Sequence, residues 1–551
     1  MKQAMIHIRC FALCMIILLL PGSCINVNSE KLPEVPDIAY IEDVITGNKQ
    51  ESMWCGEHTI QWTRTKLVPW AEVLDPDYLH APEAAVERFR DMKIGIRIHW
   101  GVYCLNGSNP SWSLWYKKGQ LQGKDRYPES SGLSNEDYVD YIKRYSTFYQ
   151  DFNPQAYDPA EWARLFKNAG LRFAVLTAKH HDGFSMFNTA TEVNALRRKT
   201  DSDGDPGFEK VRHHYSIMET DYKKDIVGAY CNEMRKAGLG VGLYFSNPDW
   251  NDYDFRFGQH NIFRDTAYTR ESDPRGWTRA LMRHRTQLIE LCSNYGPIDV
   301  LSFDHGLPMD AWPEFKGTLK MIRKLQPDMM IRRRGIGAYG DHFTPEGKRP
   351  VFPGDQDRDV EKDFHRYPAG KPWSKIGGTG SHPAYDPDLR KIDTRDVVHQ
   401  LIEICSMGGV MQLGFGPDPD GRFHPNVSVL FDELGAWLKI NGDGIYFTRP
   451  YERKVSSNVE GIYFTRSKDY KMLNVFVSEW PVDSLRIEKI IPVPGSEIIL
   501  AGYGEALQWE VVEGSVLIQI PQELPCIDNC PEGIARLIRV ELAEDHFVQT
   551  N

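Results

Sequence analysis

Polar and aromatic side chains follow several short apolar runs of the sequence, at the point where each run ends. These side chains are His99, Trp100, His180, His181, Tyr244, Asp304, Arg332 and Arg334, with Glu346 in a later loop. They combine imidazoles, aromatic rings, guanidiniums and two carboxylates, without the repeated His or Cys pairs of a metal site. Imidazoles and guanidiniums can bond hydroxyl groups while an aromatic ring covers an apolar face. The set therefore suits a neutral polyhydroxylated ring, and we expect neither a metal nor an organic cofactor.

Asp304 and Glu346 are the two carboxylates of this set. Asp304 directly follows the apolar run Ile298–Phe303, and Glu346 lies one predicted strand–helix unit later. Two carboxylates from neighbouring units can flank a glycosidic bond, and a separation of about 5 Å would define a retaining mechanism. The alternative for each residue alone is a solvated loop acid, because acidic side chains are mostly exposed.

An alternation of strands and helices must position these residues. Strands are predicted at Ile94–His99, Phe173–Ala178, Val241–Phe245, Ile298–Phe303, Met329–Arg332 and Val410–Leu413. Helices are predicted at Pro159–Gly170, Ile226–Ala237 and Trp277–Tyr295. Apolar strands joined by helical crossovers indicate a parallel sheet covered on both faces. Polar residues at several strand ends favour a (β/α) barrel over an open doubly wound sheet, and the lack of a glycine-rich phosphate loop counts against a dinucleotide-binding fold.

The pattern changes after Asn441–Gly444. Residues 445–551 contain short alternating runs separated by Pro, Gly and Asn, which is typical of an antiparallel β-sandwich. The predicted domain order is a signal peptide at residues 1–23, whose evidence is given below, an N-terminal extension at 24–75, a TIM-like (β/α) barrel domain at 76–447 and a β-sandwich domain at 448–551.

The composition is that of a folded globular protein. The chain has 551 residues, of which 41% are hydrophobic and 26% charged, and these values exclude wholesale disorder and a coiled-coil rod. The formal net charge is −11, so we do not expect electrostatic binding to nucleic acid. Aromatic residues make up 12% of the chain, a supply that suits stacking on sugar rings as well as large cores.

The N-terminus has the pattern of a secretory signal. Lys2 and Arg9 precede the apolar run Cys10–Leu20, which is shorter than a membrane-spanning helix. A retained membrane anchor is the alternative. Cys24 resembles a bacterial lipoprotein processing site, which predicts a lipid anchor as the one contact with a membrane, whereas ordinary cleavage would release a soluble protein. We expect an exported protein, either periplasmic or anchored to the outer membrane of a bacterium.

The remaining cysteines are too widely spread for a disulfide-stapled scaffold. Cys526 and Cys530 lie close enough in sequence for a small loop bridge. Free buried thiols are the expectation for the others.

Five motifs resemble the α-L-fucosidases of glycoside hydrolase family 29. They are IRIHWG at 96–101, LTAKHHDGF at 176–184, GLYF at 242–245, YGPIDVLSFD at 295–304 and GFGPDPDG at 414–421. The segment WLKINGDGIYFTRP at 437–450 resembles the one by which that family leaves its barrel. The resemblance implies a distorted (β/α) barrel followed by a β-sandwich. It also implies exo-acting, retaining hydrolysis that releases α-L-fucose from oligosaccharides or glycoconjugates.

The resemblance also implies a role for each site residue. Asp304 takes the position of the family's nucleophile, and Glu346 is the candidate acid/base. The implied hydroxyl-binding imidazoles and pocket aromatics are His99, His180, His181, Trp115 and Tyr244. Either Arg332 or Arg334 would be the cation near the sugar, and we favour Arg334 because we expect strand alternation to point one of the two inward.

Two of these assignments have a structural alternative. His180 and His181 are adjacent on a segment predicted to be extended, so their side chains are expected to diverge and one could merely cap the barrel. Trp115 could be a core or loop aromatic rather than part of the pocket.

The chain departs from the family pattern around the nucleophile. Ser302 stands where the family usually has Trp, His305 where it has Gly, and Leu114 where it has a ring-binding Glu. Losing a large aromatic and a hydroxyl acceptor changes the size and hydrogen bonding of the pocket. The alternatives are therefore an α-L-galactosidase, a glycosidase for a decorated fucoside, or a catalytically impaired carbohydrate-binding relative.

Overall fold

The computed structural model describes most of the chain from residue 74 to residue 543. The described residues are 74–106, 111, 114, 116–117, 120–121, 144–198, 208–256, 268–307, 311–344, 371–377, 384–451, 455–521, 523–524 and 526–543. The predicted signal peptide, its Cys24 and most of the N-terminal extension lie outside these residues.

Helices and strands alternate as far as residue 441. The α-helices are α1 (Glu83–Met92), α2 (Phe148–Asp151), α3 (Pro159–Asn168), α4 (Ile226–Lys236), α5 (Pro274–Asn294), α6 (Trp312–Leu325), α7 (Thr394–Ser406) and α8 (Pro425–Asn441). The strands are β1 (Ile94–Ile98), β2 (Tyr116–Lys117), β3 (Gln120–Leu121), β4 (Phe173–Lys179), β5 (Val193–Arg198), β6 (Phe208–His213), β7 (Gly240–Ser246), β8 (Val300–Asp304), β9 (Met330–Ile331), β10 (Ser374–Gly377) and β11 (Val410–Phe415). Short 3-10 helices lie at Val102–Asn106, Ile217–Glu219, Tyr253–Phe255, Gly337–Tyr339 and Gly442–Gly444.

Seven strands form one parallel sheet in the order β10-β11-β1-β4-β7-β8-β9. Its central strands are continuously buried and mostly apolar, as in FAVLTAK of β4, because helices cover the outer face and the inner face lines a core. β2 pairs with β3, and β5 with β6, in separate antiparallel hairpins. The parallel sheet and its helices confirm the predicted TIM-like class.

A short segment at residues 341–343 joins the two edges of this sheet. His342 forms a parallel bridge with Arg332 beyond β9, and Phe343 forms one with Trp373 before β10. The Arg333 N–H donates to the carbonyl of His342 at 3.0 Å, and the Ser374 N–H donates to the carbonyl of Phe343 at 2.8 Å. The segment therefore occupies an eighth strand position and closes the sheet into a distorted barrel.

Local sequence explains where the helices begin and end. Asp158 Oδ1 accepts hydrogen bonds from the N–H groups of Ala160 and Glu161 at 3.0 and 3.1 Å, and Pro159 starts α3. Gly170 follows the end of α3 with a φ of +80°, a left-handed conformation that favours glycine. α1 closes the amino-terminal end of the barrel, where Phe89 joins a buried cluster with Phe173 and Val175.

Antiparallel strands follow α8. They are β12 (Arg449–Pro450), β13 (Ile462–Arg466), β14 (Met472–Val477), β15 (Ser484–Glu488), β16 (Ile498–Leu500), β17 (Ala506–Leu507), β18 (Trp509–Val512), β19 (Ser515–Gln519) and β20 (Arg536–Glu541). One sheet has the order β12-β13-β14-β20-β16-β17, and a second has the order β15-β19-β18. Apolar side chains of both sheets, among them Val475, Ile487 and Ile518, share one buried cluster. The predicted β-sandwich is therefore confirmed.

The cysteines and the hydropathy add two findings. Cys526 and Cys530 are free thiols, so the small loop bridge considered from the sequence is not formed. Cys104, Cys231, Cys292 and Cys405 are free and buried. Across the described ranges, every helix is too short or too polar to cross a lipid bilayer.

Candidate active site

Asp304 is the last residue of β8, at the carboxyl end of the barrel. The Tyr244 hydroxyl donates to Asp304 Oδ2 at 2.6 Å. Arg334 Nε lies 2.8 Å from Asp304 Oδ1, and the N–H of His305 donates to the same oxygen at 2.9 Å. Both carboxylate oxygens of Asp304 therefore contact charged or polar donors. The residue itself is buried, with 6% exposure.

The charges around Asp304 keep its carboxyl group ionised. Burial alone would raise the pKa of Asp304, because desolvation disfavours the charged form. The Arg334 guanidinium opposes this most strongly, followed by the imidazoles of His305 and His181 and by Arg332, and together they hold the pKa well below its ordinary value. A buried but ionised carboxylate at a strand end is what nucleophilic attack on a sugar requires.

His180 and His181 both lie at this site, which is the arrangement that the family resemblance implies and not the alternative in which one of them merely caps the barrel. The chain is not extended here: the Gly183 N–H donates to the carbonyl of His180 at 3.0 Å and forms a tight turn. The two imidazole centroids are 4.3 Å apart. Gly183 has a φ of +81°, and a Cβ there would lie 2.0 Å from Asp249 Oδ1, so the turn requires glycine.

Each imidazole faces a different neighbour. His181 Nε2 lies 3.8 Å from Asp304 Oδ2, and burial with the nearby His180 and His305 lowers the pKa of His181 well below its ordinary value. His180 stacks on Tyr244 with a centroid separation of 5.5 Å. One imidazole therefore lies beside the carboxylate, and the other packs on the tyrosine.

His99 and Tyr244 pack against the two histidines, and we call His99, His180, His181 and Tyr244 the aromatic wall. Their ring centroids are 5.4 Å apart, and His99 also lies edge-on to His180 at 5.7 Å. Burial, followed by the charge of Asp304, raises the pKa of Tyr244 well above its ordinary value, so the phenol keeps its proton and remains a donor. Five predicted residues that lie in or directly after β1, β4, β7 and β8 thus meet at one end of the barrel.

Both predicted arginines lie near Asp304, and the alternation argument used to choose between them was wrong. Side chains two residues apart on an extended strand point to the same face. Arg332 and Arg334 both lower the pKa of Asp304. What distinguishes them is direct contact: Arg334 touches the carboxylate, whereas Arg332 donates to the carbonyl of Phe303 at 3.4 Å.

The departures Ser302 and His305 also lie in the site. Ser302 is fully buried on β8 and is in register with Tyr244 of β7. His305 has a φ of +55°, a left-handed conformation that is uncommon for residues other than glycine, and its ring lies 4.8 Å from that of His181. The side chain at position 305 therefore becomes part of the pocket wall.

Sequence reasoning missed three residues around the histidines. Ser111 Oγ lies 2.5 Å from His180 Nδ1, and the Trp250 ring lies 4.6 Å from that of His181. Arg97 of β1 places its guanidinium over the Tyr244 ring at 4.5 Å. Only Arg97 carried a signal, because it is a charged residue inside an apolar strand, two positions before His99.

Glu346 and Trp115 lie outside the described residues, so their predicted roles stay predictions. The described chain reaches Thr344, directly after the segment at 341–343 that occupies the eighth strand position. Leu114 is described and is buried, with 4% exposure.

His181, Asp304 and His305 are the described residues that could together ligate a metal ion. One ligand atom from each lies within 4.8 Å of the others. Arg334 already donates to Asp304, and the nearby guanidiniums of Arg332 and Arg97 repel a cation. The charge of the site therefore fits a metal ion poorly.

Comparisons with known proteins agree on one family. The family model described as alpha-L-fucosidase matches residues 75–443. The chain is 24% identical over 492 residues to the plasma alpha-L-fucosidase of Homo sapiens, covering 84% of this chain and 91% of that protein. It is 25% identical over 459 residues to the tissue alpha-L-fucosidase of Rattus norvegicus, covering 79% and 86%.

Solved structures of similar proteins have the same fold. Alpha-L-fucosidase isoenzyme 1 from Paenibacillus thiaminolyticus matches with a TM-score of 0.63 and 24% identity, covering 84% of this chain and 99% of that one. An alpha-L-fucosidase from Bacteroides thetaiotaomicron, trapped as a covalent intermediate with 2-fluoro-fucosyl fluoride, matches with a TM-score of 0.63 and 20% identity, covering 86% and 99%.

Proposed function

The chain belongs to the α-L-fucosidase family of retaining glycoside hydrolases, and we propose that it releases α-L-fucose from the ends of oligosaccharides or glycoconjugates. The observation that carries this proposal is Asp304, a buried carboxylate held ionised by Arg334 at the carboxyl end of the barrel. Catalytic residues of such barrels lie at this end, on different strands.

In the first step, a carboxylate oxygen of Asp304 attacks the anomeric carbon and forms a glycosyl ester. The glycosidic C–O bond breaks, and its oxygen takes a proton from Glu346. The Tyr244 hydroxyl and Arg334 orient the attacking carboxylate, since both contact it directly. The relative trapped as a covalent intermediate with 2-fluoro-fucosyl fluoride supports such an ester.

In the second step, water attacks the anomeric carbon from the side of Glu346. Glu346 takes the proton of the water, the ester bond to Asp304 breaks, and the sugar leaves with its original anomeric configuration. Glu346 must have a raised pKa to act first as an acid, which requires a shielded position.

The aromatic wall would bind the sugar itself. His99, His180 and His181 offer ring nitrogens to hydroxyl groups, and Tyr244 packs on His180 beside the nucleophile. Trp115 is proposed as a further pocket aromatic on the family resemblance. Arg332 and Arg334 would stabilise the negative charge of Asp304 as it leaves the ester.

The nucleophile assignment is tested by Asp304→Ala. We expect turnover of an aryl α-L-fucoside to be lost and to be partly restored by azide, which can replace the carboxylate. The matched variant is Asp299→Ala, at the opposite end of β8, where Asp299 accepts a hydrogen bond from the Val241 N–H at 2.8 Å. Equal activity of wild type and Asp304→Ala would refute the assignment.

The acid/base assignment is tested by Glu346→Ala with two substrates. An aryl fucoside with a good leaving group should be hydrolysed far better than a natural alkyl fucoside, because only the alkyl leaving group needs a proton. Equal slowing of the two substrates would require another acid/base.

An α-L-galactosidase is the second candidate, and Ser302 is the observation that favours it. Its small buried side chain leaves a hydroxyl group in the barrel interior.

A non-catalytic carbohydrate-binding relative would show binding of fucose without hydrolysis of any aryl α-L-glycoside, and the ionised state of Asp304 argues against that alternative.

Export is proposed from the N-terminal sequence alone. The run Cys10–Leu20 and the following Cys24 support a lipoprotein exported by a bacterium. Metabolic labelling with a fatty-acid probe should label the wild type and not Cys24→Ala. A protein that is secreted without label would instead support ordinary cleavage.

A further inference from the structure

The barrel interior next to Asp304 contains three fully buried polar side chains with unsatisfied atoms. Arg97, Ser302 and Gln412 are exposed by 2%, 0% and 1%. Arg97 Nε and Nη1, Ser302 Oγ and Gln412 Oε1 have no hydrogen-bond partner among the described residues. Leaving such groups unpaired inside a protein is costly, and each needs an explanation. We call these three residues the polar floor.

The polar floor adjoins the nucleophile. Ser302 lies two residues before Asp304 on β8, so both side chains point to the barrel interior. Ser302 is in register with Tyr244 of β7. The Arg97 guanidinium lies over the Tyr244 ring, 4.5 Å from its centroid, and the Tyr244 hydroxyl donates to Asp304 at 2.6 Å. A sugar whose anomeric carbon meets Asp304 therefore has the polar floor within reach of one of its substituents.

Gln412 forms the side of the floor opposite β8. It lies on β11, in register with Gly95 of β1, two positions before Arg97. Its Nε2 donates to Ser374 Oγ at 3.0 Å, which fixes the amide. Gln412 therefore borders the same interior volume as Arg97.

The charge of this region is positive. The charges of Arg332 and Arg334 lower the pKa of Arg97, whereas Asp304 raises it. Burial, followed by the Arg332 charge, lowers the pKa of Arg97 to about 9. Arg97 makes no ion pair with a described residue. A buried guanidinium without a direct ion-pair partner favours the binding of an anion.

We propose that the polar floor binds an anionic substituent on the exocyclic carbon of the sugar, with Arg97 as the main ligand and Ser302 as a second donor. The preferred substrate would then be an α-L-glycoside whose sugar carries a carboxylate or a sulfate ester on this carbon, and neutral α-L-fucosides would be hydrolysed more slowly. This inference rests on the proposed function, because it assumes that Asp304 attacks the same ring. A neutral hydroxyl would satisfy Ser302 but would leave the Arg97 charge without a partner.

The test compares four 4-nitrophenyl α-L-glycosides with wild-type enzyme: the fucoside, the galactoside, the galactosiduronate and the galactoside 6-sulfate. At least one anionic substrate should exceed both neutral ones in kcat/KM by at least about tenfold, since a charge-assisted hydrogen bond contributes that much. The carboxylate and sulfate substrates distinguish the two sources of negative charge.

Two outcomes separate this inference from the proposed function. Hydrolysis of the fucoside or the galactoside faster than both anionic substrates would overturn the anionic floor and leave the glycosidase assignment standing. No hydrolysis of any of the four, together with no covalent labelling by a fluorinated fucosyl donor, would refute both.

Arg97→Met tests the residue itself, because methionine fills a similar space without charge. The ratio of kcat/KM for the anionic substrate to that for the fucoside should fall at least about tenfold. Arg172→Met is the matched control: Arg172 also covers a tyrosine ring, that of Tyr446 at 4.0 Å, but precedes β4 at the far end of the barrel. An unchanged ratio in Arg97→Met would contradict the proposal.

A binding measurement keeps the proposal testable if Arg97→Met does not fold. At least one of the free sugars L-galacturonate and L-galactose 6-sulfate should inhibit the wild type at concentrations at least about tenfold lower than free L-galactose does. Equal or weaker inhibition by both anionic sugars would overturn the inference.

Discussion

Replacing Arg334 with methionine tests whether this guanidinium keeps Asp304 ionised and oriented. Arg334 Nε lies 2.8 Å from Asp304 Oδ1, and their side chains are only 17% and 8% exposed. Removing one partner of a buried ion pair costs about 3–5 kcal/mol. If most of about 3 kcal/mol is lost from the stabilisation of the transition state, kcat/KM falls on the order of 100-fold.

The pH profile separates this role from a general loss of structure. The pKa of Asp304 is held well below its ordinary value. The ionised carboxylate therefore stabilises the folded state at every pH above the pKa of an unfolded aspartate, and this stabilisation is lost as the pH falls through the folded-state pKa. Without Arg334 the pKa of Asp304 rises. The acid limb of kcat/KM should therefore move to higher pH, and so should the acid unfolding transition.

The assay is hydrolysis of the best aryl α-L-glycoside across the acid and neutral range, with thermal unfolding measured in parallel. Arg333→Met is the matched control, because Arg333 lies 4.4 Å from the Phe343 ring centroid and donates to the carbonyl of Gly337 at 2.9 Å. An acid limb that coincides in wild type and Arg334→Met would refute the reasoning.

Two further perturbations follow from the geometry of the site. Tyr244→Phe removes the donor 2.6 Å from Asp304 Oδ2, so kcat should fall on the order of 10-fold to 100-fold; stopped-flow or steady-state rates that match wild type would show that the hydroxyl does not orient the nucleophile. Gly183→Ala puts a Cβ 2.0 Å from Asp249 Oδ1 at a φ of +81° and should lower the free energy of unfolding, measured in urea, by about 1–3 kcal/mol or more. Gly238→Ala is the control for the clash alone, because its φ of +76° brings the same backbone strain while a Cβ there meets nothing within 4 Å; equal losses in the two variants would show that the contact with Asp249 does not matter.

The fold was predictable from the sequence where hydrophobic runs were long. β4 and β7 are mostly apolar, and His180 directly follows β4 while Tyr244 lies near the end of β7. β10 was not predicted, because Ser374–Gly377 is short and half polar. The segment at 341–343 was also missed, since its pairing depends on neighbours distant in sequence rather than on its own residues.

The candidate site was predictable in its members but not in its details. Asp304 and the histidines were identified because they lie at or just after the ends of apolar runs that predict strands. These runs could not show the turn at Gly183 that places both imidazoles on the same side, because that turn depends on packing against Asp249. Arg97 was overlooked because a charged residue in a buried strand is normally excluded by its desolvation cost.

Covalent trapping tests the central claim most directly. A 2-deoxy-2-fluoro fucosyl fluoride, or its acidic-sugar counterpart, should slow the second step and leave a glycosyl ester on the protein. We predict a mass increase of one fluoroglycosyl group, mapped by peptide sequencing to Asp304 and absent in Asp304→Ala. A label on another residue, or continued turnover of substrate without any label, would contradict the account.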